Sequence, residues 1–353
     1  MTRKYSNEEL LGYLREYADG RERAPRQVFD DIEKYPSSTL YSNRFGAWNN
    51  AKELAGVTEK TRLTKEDVLE DIKRCQEKHD SVKDKYFRND PEIICTKTIY
   101  RHFDSLAEAK FEAGIGEKPR TCPDCGGKYG TLGRHFSETS CSENLSERQY
   151  ELIKGVALSD GYISWKDTTP SMGVALTNRP ALEWIDEQLA PYSHGVKDCA
   201  SAELRASISR QSGFQPDASA EKYDDMWYVL TSSMESLRPM ADWYSDDGKN
   251  IPSTVDISPE SLRMWYICDG GVMWNKFDGH PRIHTTKYCF DSDSVIESVL
   301  SNYPGEFEVW EKSVAFRDVD VFIDYVGERV PGFEYKWEFE DRERYTELME
   351  STK

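Results

Sequence analysis

The chain has 353 residues, 38% hydrophobic and 31% charged, and a formal net charge of −18. That length suits two or three domains with sizeable cores. No run of 18 or more apolar residues occurs, and the opening Met1-Thr2-Arg3-Lys4-Tyr5 is not a signal peptide, so a soluble cytoplasmic protein with no membrane partner is expected. The acidity is uneven: residues 1–120 hold 23 basic and 23 acidic side chains, and residues 121–353 carry the whole excess. Eight cysteines in such a setting do not suggest a disulfide framework.

Residues 7–115 contain an internal repeat with a constant offset of 58. Asn7–Leu14 aligns with Lys65–Ile72, and Arg44–Val57 aligns with His102–Ile115. Phe45/Phe103, Trp48/Leu106, Ala51/Ala109 and Ala55/Ala113 recur at helical spacing, so each unit should close with an amphipathic helix stopped by Gly56 or Gly114. Before it lies a short polar segment, Ser37–Arg44 or Cys95–His102, carrying Arg, Lys and Tyr. Short helices with one polar, basic member meet the needs of a helix-turn-helix unit, with Arg44 and Arg101 as DNA-contacting candidates. A helical spacer with a solvated face is the alternative. The Phe-x-x-Trp-x-x-Ala…Ala-Gly ending resembles the repeat found beside homing endonuclease and HNH domains. The expected domains are residues 1–60 and 61–118.

After a linker over 116–121 comes Cys122-Pro-Asp-Cys125, followed by His135 and Cys141. The spacing Cys-x2-Cys-x9-His-x5-Cys supplies four soft or borderline ligands, the set that tetrahedral zinc prefers. Gly126-Gly127 suits the turn beneath a Cys-x-x-Cys knuckle, and His135 should sit in a helical turn beginning near Thr131. Four protein ligands leave no open position, so residues 119–145 are expected to form a structural Zn²⁺ finger.

Beyond residue 146 two short apolar runs reach an aspartate and then a glycine: Leu152–Gly161 and Leu262–Gly271, with Asp160 and Asp269 separated by 109 residues. The glycine reads as a helix stop in the left-handed conformation. A carboxylate beside it faces the negative end of the helix macrodipole, a placement that a cation would relieve. Asp160 and Asp269 are therefore candidate metal ligands. If the helices pack side by side, Gly155 and Ser159 offer one small face, whereas Met264 and Cys268 occupy the matching places. After each run come aromatic and β-branched strands, 162–165 with 171–177 and 272–274 with 282–286. Helices over 180–190 and 291–303 follow them, and 199–222 reads as an excursion. The fold class is α+β: a pseudo-symmetric, duplicated α-β-β-α core over 146–345, with halves of about 146–250 and 251–345, preceded by the all-α repeats and the finger.

These residues resemble the LAGLIDADG homing endonucleases of the monomeric, two-motif type. In that family two such helices form the central interface and each delivers one acidic residue to a metal site. Leu158 and Ile267 replace the motif's first aspartate, and Met264 replaces its glycine, which weakens the second copy. Gly248-Lys249-Asn-Ile-Pro252 before the second motif and Tyr335-Lys336 near the end are similar to family segments whose lysines sit near the scissile phosphates. The resemblance implies Asp160 and Asp269 holding Mg²⁺, with Lys249 and Lys336 stabilising developing charge or orienting water. It also implies a monomer acting on double-stranded DNA at a long site, encoded in a mobile genetic element and associated with the nucleoid. Sequence readout falls to strands in the major groove, with Lys166, Arg205, Arg210, Arg282, His284 and Lys287 as candidates on strands or their loops. An acidic surface with few lysines resembles proteins of salt-accumulating archaea, so the charge describes the solvent rather than the ligand. Two other readings stay open: a regulator that binds DNA without cutting, separable by metal-dependent cleavage, and an RNA-splicing maturase, separable by help to intron splicing. An intein is not expected, since no amino-terminal nucleophile or terminal His-Asn splice junction frames the chain.

Overall fold

The computed structural model describes residues 5–19, 25–57, 63–90, 92–166, 168–213, 215–245, 248–275 and 279–351. It divides into two compact units, Met1–Thr121 with Gly127–Gly130, and Cys122–Gly126 with Thr131–Lys353.

In the first unit the 58-residue repeat governs the backbone. Helices α1 (Asn7–Ala18), α2 (Arg26–Asp30), α3 (Ser38–Phe45) and α4 (Trp48–Leu54) are followed by α5 (Lys65–His79), α6 (Asp84–Asn89), α7 (Thr96–Ile99) and α8 (Leu106–Glu112). Every helix start recurs 58 residues on. The start signal recurs too: Ser6 and Thr64 each accept from the amide three residues ahead, and Glu9 and Asp67 return the bond. Gly56 and Gly114 take φ of 72° and 75°, so the backbone can turn where any Cβ is strained. Each repeat buries its own core. Phe29 centres the first, with Tyr17, Tyr35, Tyr41 and Trp48 rings within 5.3 Å of it. In the second, Cys75, Ile99 and Leu106 stand where Tyr17, Tyr41 and Trp48 stood, and Phe87 keeps the place of Phe29. The linker expected over 116–121 instead ends in β1 (Arg120–Thr121), paired antiparallel with β2 (Lys128–Tyr129).

The second unit opens with α9 (Leu132–Glu138) and α10 (Glu147–Leu158). Then come β3 (Tyr162–Lys166), β4 (Thr169–Leu176), α11 (Arg179–Gln188), β5 (Lys197–Ala200), α12 (Ala202–Gln211), β6 (Met226–Leu230) and α13 (Arg238–Ala241). A small hairpin, β7 (Tyr244–Ser245) and β8 (Gly248–Lys249), leads to α14 (Pro259–Asp269). The chain continues through β9 (Gly270–Trp274), β10 (Pro281–Thr286), α15 (Asp293–Val299), β11 (Phe307–Val309), β12 (Ser313–Phe316), α16 (Val319–Val326) and α17 (Arg342–Ser351). Two four-stranded antiparallel sheets result, ordered β3-β4-β6-β5 and β9-β10-β12-β11. Each sheet therefore has two strands beyond the α-β-β-α expectation. Of the two edge strands among them, Lys197–Ala200 carries no apolar alternation and Phe307–Val309 is only three residues long. None of the helices among the described residues is long and apolar enough to cross a membrane.

Helices α10 and α14 pack along each other at the centre of this unit. Both begin with serine capping boxes, Ser146 with Gln149 and Ser258 with Ser261. From Leu152 to Leu158 and from Leu262 to Ile267 every residue is buried, Lys154 and Arg263 included. Those two charges are paired, Lys154 with Glu151 at 2.5 Å and Arg263 with Glu260 at 2.5 Å, as burial requires. Close approach is set at Gly155, where a Cβ would lie 2.4 Å from the Ser261 carbonyl oxygen and 2.6 Å from Met264 Cβ. The helix stops differ from expectation. Neither Gly161 nor Gly270 takes a positive φ. Both are required by space, because a Cβ would lie 2.2 Å from Val156 Cγ1 at Gly161 and 2.3 Å from the Tyr266 ring at Gly270.

Since Ser261 offers backbone rather than a flexible tip at Gly155, the variant Gly155→Ala must force α10 and α14 apart. It is expected to lose about 3 kcal/mol of stability, the upper range for overpacking, as a lower midpoint in urea unfolding. An unchanged midpoint contradicts this packing.

Candidate metal centres and nucleic-acid interface

Two helix C-termini emerge together in the second unit. Asp160 follows α10 and Asp269 ends α14, and their carboxyl groups are within hydrogen-bonding reach of one another. Burial, then the Asp160 charge and the bond to it, push Asp269 up to about 7, against a bond from Thr286 and the Lys249 ammonium. Asp269 thus keeps its proton to a higher pH than an isolated aspartate would.

A lysine clamps each helix end. Lys249 Nζ donates to the carbonyls of Ser159 at 2.6 Å and Gly161 at 3.2 Å. Lys336 Nζ donates to Tyr266 at 3.2 Å, Ile267 at 2.7 Å and Gly270 at 2.6 Å. The carbonyls left over at a helix C-terminus need donors, and a cation there opposes the macrodipole. Lys336 is only 4% exposed, and its three bonds use all three ammonium donors. It therefore fixes the helix end rather than reaching outward. Burial pushes Lys336 down to about 8 and lowers Lys249, opposed at both by Asp269 and Asp160.

Some contributors carried no sequence signal. The Tyr244 hydroxyl donates to the carbonyls of Ala157 at 3.2 Å and Gly161 at 3.3 Å, and Lys249 lies 5.4 Å above its ring. Cys289 Sγ donates to Leu158 O at 3.0 Å. Tyr266 donates to Lys336 O at 2.6 Å, closing the second clamp from both sides. Thr286 stands 109 positions beyond Thr177, the same offset that separates the two aspartates.

The second centre is Cys122, Cys125, His135 and Cys141, whose ligand atoms all lie within 4.8 Å of one another. Cys125 Sγ and His135 Nε2 are 3.5 Å apart. Tetrahedral zinc with bonds of about 2.3 Å to sulfur and 2.0 Å to nitrogen sets that separation near 3.5 Å, so the donor set fits. Gly126, at φ 72°, turns the knuckle, and α9 supplies His135. The finger is seated on its own unit: a Cβ on Gly133 would lie 3.0 Å from the Ser233 amide. Glu143 also accepts from the amides of Glu235 at 2.5 Å and Ser236 at 3.0 Å.

The DNA-contacting candidates are scattered. Arg282 and His284 lie on one face of β10, opposite buried Ile283 and Thr285. Arg282 faces Glu308 at 3.8 Å, while burial and then Lys336 lower His284. Lys287 pairs with Asp293 at 2.5 Å. Arg205 and Arg210 are not on strands or strand loops as expected, but on α12, where each donates to a carbonyl, of Asp224 and Ala218 respectively. The helical spacing of Ala202–Gln211 was hidden by its serines and mixed polarity. Lys166 ends β3, and its side chain lies outside the described residues. In the first unit Arg44 donates to Asn7 Oδ1 at 2.9 Å, which ties α3 to α1, and Arg101 is exposed in the turn after α7.

Two outcomes follow from these centres. A carboxyl whose folded pKa is about 7, against about 4 unfolded, costs stability as pH rises through that interval. In chelator at pH 8, Asp160→Asn is therefore expected to unfold at a higher temperature than the wild type, with the gap shrinking toward pH 4; calorimetry showing the reverse order contradicts the pairing. Elemental analysis should return about one zinc per chain, falling to near zero in Cys122→Ser, because a closed Cys3His site is a structural zinc site.

Compared with known proteins, residues 5–58 match the profile of the homing endonuclease associated repeat. An uncharacterized protein of Methanocaldococcus jannaschii is 24% identical over 180 residues, 48% of this chain and 62% of that protein, so the chain spans less than two thirds of that relative. Among solved structures, the chain is similar to the homing endonuclease I-WcaI bound to its DNA recognition sequence. That likeness has a TM-score of 0.44 and 18% identity over 56% of this chain and 88% of the other, too low to assign the fold.

Proposed function

We propose that the chain is a site-specific double-stranded DNA endonuclease of the LAGLIDADG type, built on a duplicated core. The observation that carries this reading is the meeting of Asp160 and Asp269 at two packed helix ends, one clamped by the half-buried Lys249 and the other by the buried Lys336. The duplication is supported by the 109-residue offset of Asp160-Gly161 and Asp269-Gly270, and by the first–second–fourth–third strand order that both sheets share. A homing endonuclease associated repeat over residues 5–58 supports DNA as the partner.

Asp160 and Asp269 would hold Mg²⁺, an ion bound by few carboxylates and several waters. When bound, it supplies charge neutralisation and an activated water for phosphodiester hydrolysis. Two carboxylates brought this close repel each other without a cation, and the chain accepts that cost at a solvent-facing helix end. Lys249 and Lys336 hold the helix-end carbonyls in place and so fix where the two carboxylates point. Zinc at Cys122, Cys125, His135 and Cys141 would stabilise the finger rather than take part in chemistry. Arg282 and His284 on β10 and the helices of the repeats, with Arg44 and Arg101, are the proposed DNA-facing elements, Lys166 and Lys287 flanking the strands. Arg205 and Arg210 are held by carbonyls and brace the excursion.

Asp160→Asn and Asp269→Asn are each expected to reduce double-strand cleavage by at least ~1,000-fold while leaving duplex affinity within about threefold, since asparagine keeps the shape and loses the charge that holds the metal. The assay is cleavage of a plasmid library with Mg²⁺ at molar potassium chloride, beside binding in Ca²⁺. A wild-type chain that binds duplex yet cuts no sequence with Mg²⁺ or Mn²⁺ fails the endonuclease reading.

A further inference from the structure

The β9–β10 face of the second sheet is covered in part, with Met273 on it still exposed. Arg282 and His284 share that face with Gly271 and Met273, their partners across β9. Over it stands α17. Tyr345 packs edge-on against Trp274 at 4.9 Å and Tyr335 at 5.5 Å. A Cβ built on Gly271 would come within 4.0 Å of the Tyr345 hydroxyl. Between them a cavity of about 820 Å³ is walled by Met273, Arg282, His284 and Trp310 on the sheet and by Arg342 and Tyr345 on the helix.

The helix itself is close to neutral, with three carboxylates against two arginines, and Arg342 lines the cavity beside Arg282. It is weakly held, since none of the α17 residues is fully buried. Elements with little buried surface open at low free energy. The groove geometry makes opening necessary. A major groove about 12 Å wide takes a two-stranded ribbon, and a helix with its side chains adds a further 10–12 Å. The ribbon β9–β10 and α17 do not fit one groove together.

Resting on the DNA-endonuclease reading, we propose that α17 is a strap that occupies the duplex-facing side of the second sheet and is displaced when duplex DNA binds. It competes with the duplex for that face, so only a duplex that gains enough contact elsewhere removes it. Tyr335 is both the strap's aromatic anchor and the neighbour of Lys336, so displacement is felt at the helix end that carries Asp269.

The test compares the full chain, a chain ending at Glu340, and the single variant Tyr345→Ala, with a mixed-sequence duplex pool of fixed length as the probe at one salt concentration. Both variants are expected to bind more tightly, on the order of tenfold for the shortened chain. Amide exchange in α17 of the full chain should speed up when duplex is added. Equal or weaker binding by both variants, with the full chain binding, overturns the strap, as does slower exchange in α17. If none of the three binds duplex at any salt, the underlying DNA reading fails and the strap falls with it.

Discussion

The second unit depends on one close approach, the crossing of α10 and α14 at Gly155. Only a residue without Cβ lets the Ser261 backbone and Met264 come so near. That approach aligns the two helix ends, and the aligned ends bring Asp160 and Asp269 within hydrogen-bonding reach. Gly161 and Gly270 continue the same logic, because each lets the strand leave its helix past Val156 or Tyr266. Small residues here serve proximity, not backbone freedom.

Bringing two carboxylates and two helix C-termini to one place concentrates negative charge, and the surrounding residues answer it. Lys249 and Lys336 are turned inward onto carbonyls, which costs desolvation and shifts both ammonium groups toward neutrality. The cost of one buried and one half-buried cation goes into geometry. A site that tolerates this cost is one where the position of the carboxylates matters more than the stability of the fold.

The repeats were the most legible part of the sequence. Their offset of 58 is fixed by capping residues, aromatic anchors and terminal glycines, all short-range signals, and all four helix starts obey it. The Cys-x2-Cys-x9-His-x5-Cys set was equally readable, since ligand identity and spacing nearly determine the geometry. Asp160, Asp269, Lys249 and Lys336 were named from motif likeness. That they share one place depends on a crossing that no local pattern encodes. The strand Lys197–Ala200 was missed because Lys-Asp-Cys-Ala carries no apolar alternation. The role of Lys336 was hidden as well: an exposed-looking lysine in Tyr-Lys-Trp is buried only because a 3-10 turn over Glu334–Trp337 carries it to the end of α14.

The central claim is that the paired aspartates form a divalent-cation site. Its most direct measure is Mn²⁺ paramagnetic resonance on the zinc-loaded chain at pH 8, compared with the Asp160→Asn, Asp269→Asn double variant. The account predicts Mn²⁺ bound by the wild type, weakening as pH falls through about 7 where the pair takes up its proton, and lost in the double variant. Equal Mn²⁺ binding by both proteins, or none by the wild type with and without duplex, would contradict it.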